Sequence, residues 1–195
     1  MKYEWCYFDE YFTKEKCDLI LQLAKDYPSQ EATIGTQSGF EKIENSRRSK
    51  VKFILHTDEK FSWVFNDLWY LARSCNHDHF NFDVNKLDYV QIAEYSSEDM
   101  GEYTRHLDAI WCNEPYQFHR KLSCTVQLSD PESYTGGDFE FYDLQYADPN
   151  ETHKLQMRAR GTAIFFPAFI THAVKPVLSG NRYSITAWFE GPKWR

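Results

Sequence analysis

Two different spacings of apolar residues divide the chain. Near the amino end, Cys17, Ile20, Leu21 and Ala24 recur at helical spacing behind Thr13, a residue able to cap a helix, and the pattern stops at Tyr27-Pro28. A second helical stripe, Phe61, Phe65, Leu68, Ala72 and Cys75, follows Thr57 and Asp58. From about Asp88 the period changes. Short runs rich in Val, Ile, Tyr, Phe and Thr (88–95, 102–111, 122–128, 137–143, 162–167, 171–177 and 182–190) alternate with turn chemistry such as SDPESYTGG, ADPNE, ARG and LSGN. Many short strands after a helical start predict a mostly β fold, an antiparallel jelly roll with the helices buttressing one face. The stretch Asp143–Arg160 is long for a hairpin and reads as a mobile connection. No repeat, low-complexity tract or linker interrupts the chain, so 1–195 reads as one domain, with helices and supporting strands in 1–87 and the jelly-roll core in 88–191.

Composition supports a packed domain. Aromatics make up 17% of the 195 residues, material for a sizeable core, which excludes disordered and collagen-like classes. Lys and Arg number 22 against 29 Asp and Glu, a net charge of −7 that argues against broad nucleic-acid binding. The cluster Arg47, Arg48, Lys50 and Lys52 could dock an acidic partner, but a solvated strand edge guarded by charge accounts for it more simply. The opening MKYEWCYFDE lacks the apolar stretch of a signal peptide, and no run is long enough to span a bilayer. The five cysteines are odd in number, widely spaced and without a CxxC, as expected of reduced, buried thiols in a cytoplasmic protein.

One constellation carries chemistry. His106 and Asp108 lie two apart on a predicted strand, so both side chains point to one face and can reach one ion. His172, at the start of a later strand, could supply a third ligand. Two His and one carboxylate on one side of a metal leave the other side open, the arrangement of non-haem Fe(II) oxygenases; closed zinc sites use four protein ligands. HxD alone is a weak signal. His77-Asp78-His79 reads as a solvated loop, and His56, His119 and His153 have no partner pattern. Ten residues after His172 stands Arg182, expected on a strand running back beside the His172 strand, where its fork could hold a carboxylate bidentately near the metal.

Taken together, HLD, then GG before FEF, then GTAIFFPAFITHAVKPVLSGNRYSITAWF resemble the 2-oxoglutarate/Fe(II)-dependent dioxygenases of the prolyl 4-hydroxylase type. That superfamily includes collagen-type, oxygen-sensing and bacterial PKHD-type prolyl hydroxylases. The resemblance covers about Asp88 to Gly191 and, more loosely, FTKEKCDLILQLAK and RRSKVKFI. It implies a double-stranded β-helix core, with Fe(II), 2-oxoglutarate and O2 as reactants and ascorbate as an optional addition. By position, His106, Asp108 and His172 match the iron ligands, and Arg182 matches the residue that pairs with the distal carboxylate of 2-oxoglutarate. Tyr95, Thr125 and Thr186 match the co-substrate pocket, while Tyr103, Trp188 and Arg120 match positions near substrate. Glu190 stands where collagen-type members carry a His, which speaks against collagen-like recognition.

The implied reaction is hydroxylation of a C–H bond, in the first instance on a prolyl residue of a peptide or protein, with release of succinate and CO2. Loops 96–103, 111–118 and 143–160 would select the substrate. Other readings stay open: the same chemistry on a free amino acid or other small molecule, a metal-dependent hydrolase, or a non-catalytic jelly-roll binding protein. Trp188, where nucleobase demethylases carry a second Arg, argues against that branch. Asp108 argues against a halogenase.

Overall fold

A computed structural model of the chain describes residues 1–36, 39–41, 46–109, 117–145 and 149–194, with the side chains of 34–36 and 39–41 left aside. Helix α1 spans Lys14–Leu23, and Thr13 Oγ1 accepts the Lys16 amide at 3.3 Å. A short 3-10 turn, Ala24–Asp26, ends it before the extended Tyr27-Pro28. Helix α2 spans Ser62–Cys75, preceded by a turn in which Asp58 Oδ1 accepts the Lys60 amide. Its apolar stripe, Val64, Phe65, Leu68, Leu71, Ala72 and Cys75, is buried.

A seven-stranded antiparallel sheet runs in the order Cys6–Phe8, Ala163–Pro167, Phe118–Gln127, Asn181–Pro192, Tyr89–Ser96, Lys50–Leu55 and Gln30–Glu31. A four-stranded sheet, Phe139–Phe141, His172–Val174, Glu102–His106 and Arg47–Arg48, covers its inner side. The result is the jelly roll with buttressing helices that the apolar spacing predicts. Because side chains alternate along a strand, the larger sheet has two distinct faces. Val90, Ile92, Leu122, Cys124, Val126, Ile185, Ala187 and Phe189 pack with α1 and α2 in one core. Ala93, Tyr95, Ile164 and Phe166 point the other way and meet Phe139, Phe141 and Val174 of the smaller sheet in a second core. The buried polar residues Gln91, Ser123, Thr125, Gln127, Arg182 and Ser184 share the parity of this inner face.

Four sequence expectations need correction. Arg182 does not lie on a strand beside His172. After Val174 the chain leaves the smaller sheet, pairs Val177–Ser179 with Thr135–Gly136, and enters the larger sheet between Tyr89–Ser96 and Phe118–Gln127. Arg182 therefore faces the His172 strand across the sandwich. Second, the described part of 143–160 is anchored. It contains helical turns Pro149–Thr152 and Lys154–Arg158, Met157 enters the inner core, and Arg158 donates to Gly136 O at 2.7 Å, Asp138 at 2.8 Å and Tyr134 O at 2.7 Å. Third, 77–79 is not a loop but part of a π-helical turn, Asn76–Phe80, continuing α2, with His77 and Asp78 exposed. Fourth, the basic cluster is no continuous patch. Arg47 is buried, Arg48 pairs with Glu102 at 2.7 Å, and Lys52 donates to Ala24 O.

The GG pair has a local cause. Gly136 and Gly137 have φ of +67° and +64°, and a Cβ on Gly137 would lie 3.1 Å from Arg182 Cδ and 2.9 Å from Val177 Cγ2. Glycine lets this loop lie directly on the Arg182 stem. The four described cysteines, Cys6, Cys17, Cys75 and Cys124, are free, as expected; Cys112 lies outside the described residues. Among the described residues no helix is long and apolar enough to cross a membrane.

The outer core predicts a clear contrast. Leu68, fully buried between α2 and the larger sheet, should cost about 2–5 kcal/mol when changed to Ala. Leu155→Ala, at a side chain 79% exposed, should stay within about 0.5 kcal/mol of the parent. Urea unfolding of both variants measures this.

Candidate metal centre

The smaller sheet builds the metal trio. His106 ends its strand and is directly paired with His172 across the ladder. Asp108 follows the strand end, where its amide and that of Ala109 both donate to Ala168 O at 2.8 Å. Asp108 Oδ1 lies 3.7 Å from His106 Nε2, and Oδ2 lies 3.6 Å from His172 Nε2. One ligand atom from each residue lies within 4.8 Å of the others. His106 Nδ1 faces Thr104 O at 2.8 Å, and His172 Nδ1 faces Ile170 O at 2.9 Å. A carbonyl can only accept, so each Nδ1 carries the proton and each Nε2 turns its lone pair inward. Ser123 Oγ donates to Asp108 Oδ2 at 2.7 Å, which orients the carboxylate and leaves Oδ1 the freer oxygen.

The electrostatics suit a cation. Burial, then the neighbouring His172, lowers the His106 pKa to about 3, so the ring stays neutral and able to ligate. Burial alone would raise the Asp108 carboxyl, but His172, His106, Arg120 and the Ser123 hydroxyl outweigh it and hold it below the usual carboxylate range. Burial lifts Tyr103 to about 12, so its phenol is neutral where it stacks on the His106 ring, with centroids 3.4 Å apart. Two nitrogens and one carboxylate oxygen converging on one point, with no fourth His, Cys, Asp or Glu in the cluster among the described residues, is a donor set that fits ferrous iron and leaves positions for other ligands.

Across the interior stands Arg182, 1% exposed. Nη2 donates to Gln127 Oε1 at 2.8 Å and Nη1 to Ser184 Oγ at 3.3 Å, while buried Nε has no partner. Its Cζ lies 5.4 Å from the Tyr95 ring centroid. Among the described residues it pairs with no carboxylate, so the buried cation fits an incoming one such as the far end of 2-oxoglutarate. Tyr95, Thr125 and Thr186 line the cavity that holds the metal trio, and Thr186 pairs with Thr125 in the sheet. Tyr103 and Trp188 also line it. Arg120 sits on its flank, with Cζ 3.9 Å over Trp188 and Nη2 donating to Tyr89 Oη at 3.1 Å.

Eight of the ten singled-out residues line this cavity; Arg182 lines a second pocket that shares Phe139 with it, and Arg120 reaches the cavity only through Trp188. Sequence reasoning missed four more, Gln91, Ser123, Gln127 and Ser184, and met Arg47 only as part of the basic cluster. Each of the four stands two or four residues from a residue it named on the same strand, so parity alone could have found them. The proposed selector loop 111–118 falls largely outside the described residues.

Comparison with known proteins agrees with this geometry. The chain is 36% identical over 103 residues to a PKHD-type hydroxylase of Polaromonas sp. (51% of this chain, 42% of the relative). It is 31% identical over 96 residues to a PKHD-type hydroxylase of Aliarcobacter butzleri (48% of this chain, 40% of the relative). The chain thus spans less than half the length of these curated relatives. A crystal structure of a Pseudomonas putida prolyl-4-hydroxylase aligns with a TM-score of 0.71 at 16% identity, over 98% of this chain and 94% of that one. A Trichoplax adhaerens prolyl hydroxylase, solved with a hypoxia inducible factor peptide fragment, aligns with a TM-score of 0.69 at 17% identity, over 95% and 83% of the two chains. At that identity the likeness shows a shared fold. The model of the 2OG-Fe(II) oxygenase superfamily matches residues 90–190, from the Tyr89–Ser96 strand through Arg182 and Trp188, and the chain belongs to that superfamily.

Proposed function

We propose that the chain is an Fe(II)- and 2-oxoglutarate-dependent dioxygenase that hydroxylates a prolyl residue in a peptide or protein. The observation that carries this reading is the pairing of an open His-His-Asp trio with a buried guanidinium on the facing sheet that pairs with no carboxylate among the described residues, Asp138 beside it being taken by Lys154 and Arg158. The PKHD-type relatives, and the prolyl hydroxylases that share the fold, support a prolyl substrate. Free thiols are in keeping with a cytoplasmic setting.

Each residue has a role in this scheme. His106, Asp108 and His172 would hold the iron, which with 2-oxoglutarate and dioxygen supplies the oxidative decarboxylation that yields succinate, CO2 and the hydroxylated product. Ser123 fixes the Asp108 carboxylate, and the Thr104 and Ile170 carbonyls fix the imidazole rings. Arg182 anchors the distal carboxylate, with Gln127 and Ser184 setting the plane of its fork. Tyr95, Thr125 and Thr186 wall the co-substrate, and Phe139, Phe166 and Val174 keep that wall apolar and exclude water. Tyr103, Trp188 and Arg120 face the substrate side.

The decisive experiment adds Fe(II) and 2-oxoglutarate without oxygen, looks for the weak visible charge-transfer band, then admits oxygen and measures succinate. The expected result is a band and some succinate even without substrate; neither signal in folded, iron-loaded protein would refute the reading. His172→Ala should abolish both, whereas Arg182→Ala should raise the half-saturating 2-oxoglutarate concentration about tenfold or more. Ser123→Ala should keep the fold and weaken Fe(II) binding about 10- to 100-fold in a competition titration, because the ligand loses its orienting bond.

A further inference from the structure

Arg47 is the one Lys or Arg among the described residues that line the metal cavity, and it is 5% exposed. Nε donates to Ser49 Oγ at 2.9 Å and Nη2 to Gln91 Oε1 at 3.3 Å, and Cζ lies 4.6 Å over the ring of Tyr103, which stacks on His106. These contacts orient the guanidinium without cancelling its charge. Among the described residues Nη1 has no hydrogen-bond partner and no carboxylate pairs with Arg47. The next residue shows the ordinary alternative: Arg48 points to the other face and pairs with Glu102 at 2.7 Å. Outside that wall Arg120 lies over Trp188, again with no acid partner among the described residues. Asp108 is the single carboxylate among the described residues lining the cavity, and it is already engaged by His106, His172 and Ser123. A buried guanidinium left without an acid is costly, and neutral partners offset only part of that.

We propose that Arg47, aided by Arg120, is a specificity-determining residue that receives a carboxylate of the substrate, so that the peptide acted on is acidic beside its target prolyl residue. This rests on the oxygenase reading of the same site. The carboxylate comes from an acidic side chain or from the peptide's own terminus.

Calorimetric titration of the anaerobic protein loaded with Fe(II) and 2-oxoglutarate tests it with three acetylated peptides. In the first the prolyl residue is flanked by Glu and the terminus is amidated; in the second Glu becomes Gln; in the third the Gln peptide keeps a free terminal carboxylate. The first or the third should bind about tenfold or more tightly than the second, and whichever does so names the source of the carboxylate. Arg47→Gln should remove that preference, and Arg47→Lys should restore part of it. Equal binding of all three peptides to the parent protein, or no binding at millimolar concentration, overturns the proposal without help from any variant. The charge-transfer band and substrate-free succinate of the parent judge the oxygenase reading separately: if they persist while the peptides bind equally, only the acidic substrate is lost.

Discussion

The site depends on the larger sheet having one face sealed by helices. With α1 and α2 against Leu122, Cys124, Val126, Ile185 and Ala187, every second residue of those strands has no outlet except the space between the sheets. That space receives Ser123, Thr125, Gln127, Arg182 and Ser184, an unusual load of polar groups for the middle of a sandwich. They must satisfy one another or a guest, since water is largely excluded. The Gln127 and Ser184 bonds to Arg182 meet part of that demand, while its Nε and its full charge stay unmatched. The proposed affinity for a small diacid would then follow from the packing of the core.

The metal trio follows from the register of the other sheet. Pairing His172 directly with His106 brings two rings together, and the Ala168 carbonyl, by taking two successive amides, turns the chain so that Asp108 closes the triangle. The two halves of the site thus sit on facing sheets. A short diacid chelated at one sheet and anchored at the other would bridge the sandwich, which couples co-substrate binding to sheet spacing. Gly136 and Gly137 matter for the same reason. They press the Thr135–Gly136 ribbon onto the Arg182 stem and hold the far anchor in place.

Legibility in the sequence followed the range of each interaction. The helices were readable because caps and 3.6-residue stripes are local, and Thr13 and the Phe61-to-Cys75 stripe behave as their spacing predicts. The shared face of His106 and Asp108 was readable because strand parity is local too. The sheet that Arg182 would join was not, since the crossing at 175–180 depends on pairing with residues forty positions earlier in the chain. Gln91, Ser123, Gln127 and Ser184 are common residue types whose role comes only from burial beside Arg47, Asp108 and Arg182. The anchoring of 149–158 was hidden for a similar reason: Arg158 finds its carbonyl partners in a turn about twenty residues away.

The Arg47-Arg48 pair shows how little separates a surface charge from a functional one. The two residues are identical in chemistry and adjacent in a strand, so parity alone sends one guanidinium to Glu102 and the other into the cavity. Inside, the dielectric is lower and a charge acts more strongly on whatever enters. The chain as a whole carries −7, yet the cavity holds Arg47 and is flanked by Arg182 and Arg120, with Asp108 as its single lining acid among the described residues. A recess flanked by guanidinium groups, in a chain of net negative charge, favours anions over cations at its mouth. On the proposed reading that contrast would serve the co-substrate dianion directly, and it would place the same selection on any peptide that approached the metal trio from the Tyr103 and Trp188 side.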